Sequence, residues 1–162
     1  MLGDSRRLTG RNLWLESPGA VLDATLGGHD PAMFAAAWGA ALDHALAALG
    51  WQGAARASRA WPGGVTLAFA APIDALYAAT EVAEWAFAVA RGALDPAAPA
   101  APEFEAEMTR LRTLLAEERN PALLRLREEG IRRGLTCLAD DTSVSLGLGT
   151  GSRSWPVRRL GS

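Results

Sequence analysis

Residues 20–50 decide the fold. Ala20-Val21-Leu22-Asp23-Ala24-Thr25 is followed by Gly27-Gly28-His29-Asp30-Pro31, and then by an alanine-rich run to Leu49-Gly50. The first piece carries β-branched residues towards both ends and reads as a strand. The second is a turn that ends in a helix start. Asp30 can accept the free amides of a first turn, and Pro31 suits the first helical position because its missing N–H had no partner to lose. The third predicts a helix to Leu49 that Gly50 ends. Phe34, Trp38, Ala41, Leu42, Ala45 and Leu49 share one face of it, and Asp43 points the other way. A strand passing into a helix with one apolar stripe implies a sheet with helices laid on it.

Upstream, Leu8-Thr9-Gly10-Arg11-Asn12-Leu13-Trp14 reads as a short strand, a Gly/Asn turn and a second extended piece, and Ser17-Pro18-Gly19 reads as a turn. Downstream, residues 51–64 show no period and Pro62-Gly63-Gly64 breaks the chain. Val65 to Ala70 alternates, with Val65, Leu67 and Phe69 on one face. A second helix is expected from near Pro72 to Arg91, with Gly92 beyond it. Residues 94–102, rich in Pro and Ala, read as a surface loop, because the stretches on either side are too short for two cores and 1–162 make one domain. Glu103 to Arg119 predicts a third helix that buries Phe104, Met108, Leu111 and Leu115. Asn120-Pro121 starts a fourth at once, giving an αα-hairpin that Gly134 ends. Glu128→Arg132 and Glu129→Arg133 are i,i+4 pairs in the favourable order. Leu135–Leu138 and Val144–Leu146 are short strand candidates. The fold class expected is α+β, a small mixed or antiparallel sheet packed by about four helices.

All 16 basic residues of the 162 are arginine, and 18 acids bring the net charge to −2 with a pI near 5.7. That balance provides no field for nucleic acid or an anionic membrane. One cysteine and two histidines exclude a disulfide framework, a cysteine-based zinc cage and a His-rich metal site within one chain. No cofactor is expected. The start, Met1 to Arg7, leads into no apolar signal region, and the longest apolar run, Ala32 to Leu42, is about half the ~20 residues of a spanning helix. A soluble, cytoplasmic protein is the expectation.

Few residues offer chemistry. Gly147-x-Gly149-x-Gly151-Ser152 lacks both the following helix and the Gly-Lys-Ser/Thr ending of a phosphate loop, so it reads as a turn at a strand end. Cys137 sits in an apolar strand with no basic neighbour and reads as an inert core residue. His29 lies in a glycine-rich loop and His44 beside the buried stripe of the first helix, and neither belongs to a zinc-protease pattern. Glu84 stands out. It falls in the middle of the side of the second helix that carries Ile73, Leu76, Tyr77, Thr80, Phe87 and Arg91, where a carboxylate needs a partner. A structural buried acid with an arginine from another element is the preferred reading. The opposite side, with Ala78, Val82, Trp85 and Val89, is apolar too, so this helix is sandwiched between core layers or covered by a partner. A homodimer or a hetero-complex is therefore expected, covering that helix or the Trp51–Trp61 segment. Seven acids and seven arginines between Glu103 and Arg133 read as a solvated face, or as a surface for a polymer bearing both groups. Two rival readings remain: a small-molecule enzyme or ligand-binding dimer using Glu84 and Arg91, with His29 or Asp140-Asp141 supplied across a dimer, and a purely structural homodimer.

Several blocks resemble the N-terminal domain of the cyanophycin synthetase family, whose members polymerise aspartate and arginine. Thr9-Gly10-Arg11-Asn12-Leu13-Trp14 is similar to that domain's R-G-P-N-x-W opening, with Arg11 in place of the proline. Val65 to Arg91 resembles its central strand and Tyr-Ala-Ala helix. Met108 to Leu138 resembles the end of the domain, and Ser145 to Arg153 resembles the L-G-x-G-x-x-x-R segment where the family's ATP-grasp domain begins. The resemblance implies that the ATP-grasp and Mur-ligase-like chemistry lies outside these residues. It also implies that the metal-dependent hydrolytic site some members carry on an H-x-x-E-H helix is absent, since the matching stretch Ala36-Ala37-Trp38-Gly39-Ala40 holds no ligand. What the resemblance leaves is a non-catalytic accessory, anchoring or oligomerisation module that works with an ATP-grasp/Mur-ligase-like partner or binds an Asp/Arg polymer. Arg11, Asn12, Trp14, Glu84, Trp85 and Arg91 are its candidate interaction residues.

Overall fold

A computed structural model describes residues 1–140, 142–157 and 160; Asp141, named above beside Asp140, lies outside the described residues. The centre of the molecule is a pair of antiparallel strands, β2 (Gly19–Thr25) and β4 (Gly64–Ala70), flanked by the edge strands β1 (Leu2–Leu8) and β3 (Arg56–Trp61) in the order β1-β2-β4-β3. Two helices, α1 (Pro31–Leu49) and α2 (Leu76–Leu94), cover one face, and α3 (Phe104–Glu118) packs on them. α4 (Pro121–Arg132) packs instead on a second antiparallel sheet of three short strands, β5 (Cys137–Ala139), β6 (Ser143–Leu146) and β7 (Arg153–Pro156). The whole is one small α+β domain.

Period-two burial positions the helices. Ala20, Leu22 and Ala24 of β2 pair with Phe69, Leu67 and Val65 of β4 and face α1 and α2. α1 opens as its residues dictate: Asp30 accepts the Ala32 amide at 2.7 Å, and Gly50 ends the helix at φ 75°. Its buried face is Phe34, Trp38, Ala41, Leu42, Ala45 and Leu46, with Leu49 only partly covered. Trp38 satisfies its indole by donating to the Ala83 carbonyl of α2 at 3.1 Å. By length and composition α1 is also apolar enough to cross a membrane, with a mean hydropathy of 1.4. The uninterrupted run read from the sequence understates this, because alanines carry the hydropathy past Asp43 and His44.

Four features depart from expectation. The first strand is Leu2–Leu8, and the segment after Leu8 is a loop, because a polar edge strand carries no apolar alternation to betray it. The stretch read as irregular contains β3, whose Trp61 pairs with Gly64 across the two-residue Pro62-Gly63 turn. A Cβ at Gly64 would run into the Trp61 ring, so only glycine lets that ring lie on the backbone. α2 starts at Leu76 rather than near Pro72 and passes through Gly92 to Leu94. The tail contains β7, preceded by a short 3-10 turn at Gly149–Gly151. α3 and α4 do follow each other through Arg119 and Asn120 in the order of an αα-hairpin. Their apolar residues nevertheless serve different clusters: Met108 and Leu111 join the main core, whereas Leu123 joins Ile73, Leu76 and Val144. On α4, Arg132 turns to Glu129 at 2.7 Å rather than to Glu128, and Glu129 also receives Arg133.

The junction of α2, α3 and α4 is held by carboxylates. Ala75, at the N-cap of α2, has no capping side chain. Glu118, at the end of α3, accepts the Tyr77 and Ala78 amides at 2.7 and 2.9 Å in its place. Asp74, buried in the turn before α2, accepts the Asn120 amide at 3.0 Å where α4 begins. Glu118→Ala should cost ~1–2 kcal/mol in urea unfolding with an unchanged m-value, as loss of a helix cap does. Glu128→Ala, on the exposed face of α4, should stay within ~0.5 kcal/mol. Equal losses for the two would remove Glu118 from the capping role.

Candidate functional site

The six candidate interaction residues scatter. Asn12 organises the loop after β1: its Nδ2 donates to the Gly10 and Ser17 carbonyls at 2.8 and 3.3 Å, and its Oδ1 accepts the Trp14 and Leu15 amides, both at 2.9 Å. Arg11 forms an exposed ion pair with Glu16 at 2.8 Å. Trp14 packs with Leu8 against Leu15, Val21 and Ala68 on the outer face of the main sheet. This block is a sheet-covering turn.

Glu84 is half-buried, and its partner is the Ser5 hydroxyl of β1 rather than an arginine. Leu2, Ser5 and Arg7 share the inward face of β1 with Ala24, Leu22 and Ala20 of β2, so the strand opposite this side of α2 is polar. A buried acid with an arginine partner does exist, at Glu107. Arg110 reaches it through Nε at 3.1–3.2 Å and also binds Glu81 of α2 at 2.7 Å. These hydrogen bonds, Glu107 first and Glu81 second, raise the Arg110 pKa further above its ordinary value. The apolar stripe of α2 is not open to a partner. Val82 is 0% and Trp85 6% exposed, and the Trp85 indole donates to the Pro102 carbonyl at 3.1 Å while its ring leans on Phe104. Phe104 in turn stacks on His44 at 4.0 Å, so that imidazole belongs to the cover of the core.

Two clefts lie at the two ends of α2. At its N-terminal end, Ser5, Arg6, Arg7 and Thr9 face Tyr77, Thr80 and Asp140 across an open groove of about 550 Å³. The Arg7 guanidinium lies over the Tyr77 ring, 3.8 Å from its centroid, a cation–π contact, and half of Tyr77 is exposed. Asp140 is held ionised down to about 2, because its carboxylate accepts the Thr142 and Ser143 amides and then their hydroxyls. At the C-terminal end, a cavity of about 220 Å³ is lined by His29, Phe34, Phe87, Arg91 and Asp95 among others. Arg91 and His29 therefore do share a site. Glu84 lines neither cleft, and Asp140 lies at the opposite end of the helix. Arg7 escaped notice because its strand did, and Tyr77 counted only as a member of a helix face.

Burial pushes the Cys137 thiol up against the smaller opposing effect of Arg127, as an inert cysteine requires. Among the described residues no three His, Cys, Asp or Glu side chains converge where they could hold a metal ion. No family model matches the chain, and no curated protein does.

The Asp140 turn yields a pH prediction. A carboxylate whose folded pKa lies below the ordinary ~3.9 contributes stability that is complete above that value and is lost as pH falls through the folded one. The Thr142 and Ser143 amide resonances should therefore hold their shifts on acidification until a midpoint near 2. A midpoint near the ordinary value of ~3.9 would mean that the turn is not carboxylate-bound. Glu84→Gln keeps an acceptor for Ser5 in a half-exposed position and should cost no more than ~1 kcal/mol in the same unfolding assay.

Proposed function

We propose that this chain is a non-catalytic, cytoplasmic accessory module of a cyanophycin-like ligase system, and that its N-terminal groove holds a peptide chain carrying both carboxylate and guanidinium groups. One observation carries this reading. The groove presents a guanidinium stacked on a tyrosine next to a carboxylate kept ionised by its own turn. A guanidinium of the polymer extends the Arg7–Tyr77 stack, and its carboxylates add to the ion pair that Arg6 already makes with Asp23 at 2.6 Å. The acids nearby are committed elsewhere: Glu118 and Asp74 to backbone amides, and Glu84 to Ser5. Such carboxylates serve structure rather than proton transfer, which needs a titrating group near the operating pH.

The resemblance of residues 9–14, 65–91, 108–138 and 145–153 to the synthetase N-domain supports the same assignment, with an ATP-grasp/Mur-ligase-like protein or a second copy as partner. Assembly through α2 loses its support, since α3 and Pro102 cover that stripe. Exposed Ile131, Leu135 and Leu138 near α4 and β5 are the apolar surface that supports it now.

A synthetic peptide of alternating aspartate and arginine should bind the protein in calorimetry, and added salt should weaken it. Tyr77→Ala should weaken binding about tenfold, the loss of one partly desolvated cation–π platform. Peptides of glutamate alone or arginine alone should bind less well. Identical affinity for wild type and Tyr77→Ala, or no binding at all, would overturn the assignment.

A further inference from the structure

The cavity at the C-terminal end of α2 has no part in the reading above. Its floor is apolar: Phe34 of α1 and Phe87 of α2 are both buried, with ring centroids 5.4 Å apart. Its rim is charged. Arg91 and Asp95 stand one turn apart at the end of α2, and both line the cavity. No ion pair joins them, and among the described residues Arg91 has no carboxylate within 4 Å. The Asp95 Oδ1 accepts the Ala97 amide at 3.0 Å, which fixes the side chain and leaves Oδ2 open. The mouth is closed on the other side by the Leu26–His29 turn. There Gly27 and Gly28, at φ 59° and 98°, supply the two left-handed positions that such a tight turn demands, and the His29 amide closes it onto the Leu26 carbonyl at 3.1 Å.

Arg91 is partly buried beside the phenylalanine floor and has no carboxylate within 4 Å among the described residues, so its donors can take a ligand carboxylate. An ammonium would meet the open oxygen of Asp95. A volume of about 220 Å³ falls below the roughly 300–1,000 Å³ of sites for drug-sized ligands, so the ligand is small. We propose that this cavity binds a single free α-amino acid with an apolar side chain: carboxylate on Arg91, ammonium on Asp95, and side chain against Phe34 and Phe87. The site uses no residue of the N-terminal groove, so the two assignments stand or fall separately.

The test uses the full chain with L-leucine and L-phenylalanine, followed by ligand-observed NMR and calorimetry. At least one should bind at millimolar concentration or tighter. Arg91→Gln should weaken it about tenfold or more, the loss of a charge-assisted contact. Asp95→Asn should weaken the amino acid while leaving isocaproate, which lacks the ammonium, unaffected. Isoamylamine, which lacks the carboxylate, should be insensitive to Arg91→Gln. Tyr77→Ala should change none of these. No binding of either amino acid to folded wild-type protein, or binding that both charge variants leave intact, would overturn the proposal.

Discussion

The structure depends on the burial of α2 on almost every side. Its alanines 78, 79, 83, 86 and 90 are at most 1% exposed. Small side chains let α1, α3, β1 and β2 all approach one helix, and larger ones on the neighbours fill the space. Trp38 of α1 and Trp85 of α2 show how: each extends into a gap beside alanine and then satisfies its indole on a backbone carbonyl. Ala75 offers the first amides of α2 no acceptor. The acceptor has to come from another element, and Glu118 supplies it. Packing thus dictates where a charge must sit, and that charge ties the end of α3 to the start of α2.

The same constraint explains what was legible in the sequence. α1, α3, the start of α4, and the strands β2 and β4 follow from caps and periods that act within a few residues, and the structure agrees with them closely. β1, β3 and β7 were not legible, because edge strands owe their pairing to a neighbour and carry serine, arginine or a proline where a central strand carries valine. Missing β1 had consequences for the site. Without Ser5 and Arg7 on the inward face, Glu84 looked like an acid stranded in a core, and Tyr77 like a core aromatic. With them, that side of α2 is a polar seam along a sheet edge. The stripe of Val82 and Trp85 was readable as apolar, but no local signal says whether its cover is a partner or a helix later in the chain.

Both clefts sit where that burial ends. Along its middle α2 is sealed by side chains, and only at its termini does the layer of neighbours thin enough to admit a ligand. The two ends differ in kind. At the N-terminus, Glu118 serves the backbone amides, and the groove keeps Arg7, Tyr77 and the Asp140 carboxylate. At the C-terminus, Arg91 lies in the last turn, where the helix dipole favours a cation, and Asp95 sits just past it. Each end presents charged side chains on the same rigid helix.

A chain with 16 arginines and no lysine takes its meaning from these contacts. Arg56 reaches both Asp43 and the Gly39 carbonyl, which fixes the edge strand β3 to α1. Arg110 forks between Glu107 of its own helix and Glu81 of α2. Arg7 lies flat on Tyr77. Each contact uses planarity or several directed donors, which an ammonium point charge does not offer. Exposed pairs contribute little stability, yet a fork that spans two elements fixes their relative position at the same time. Alanine-rich helices with few interlocking side chains need that fixing more than most. Arginine therefore does in this protein part of what larger core residues do elsewhere, and Arg91, in the last turn of α2, lines a cavity.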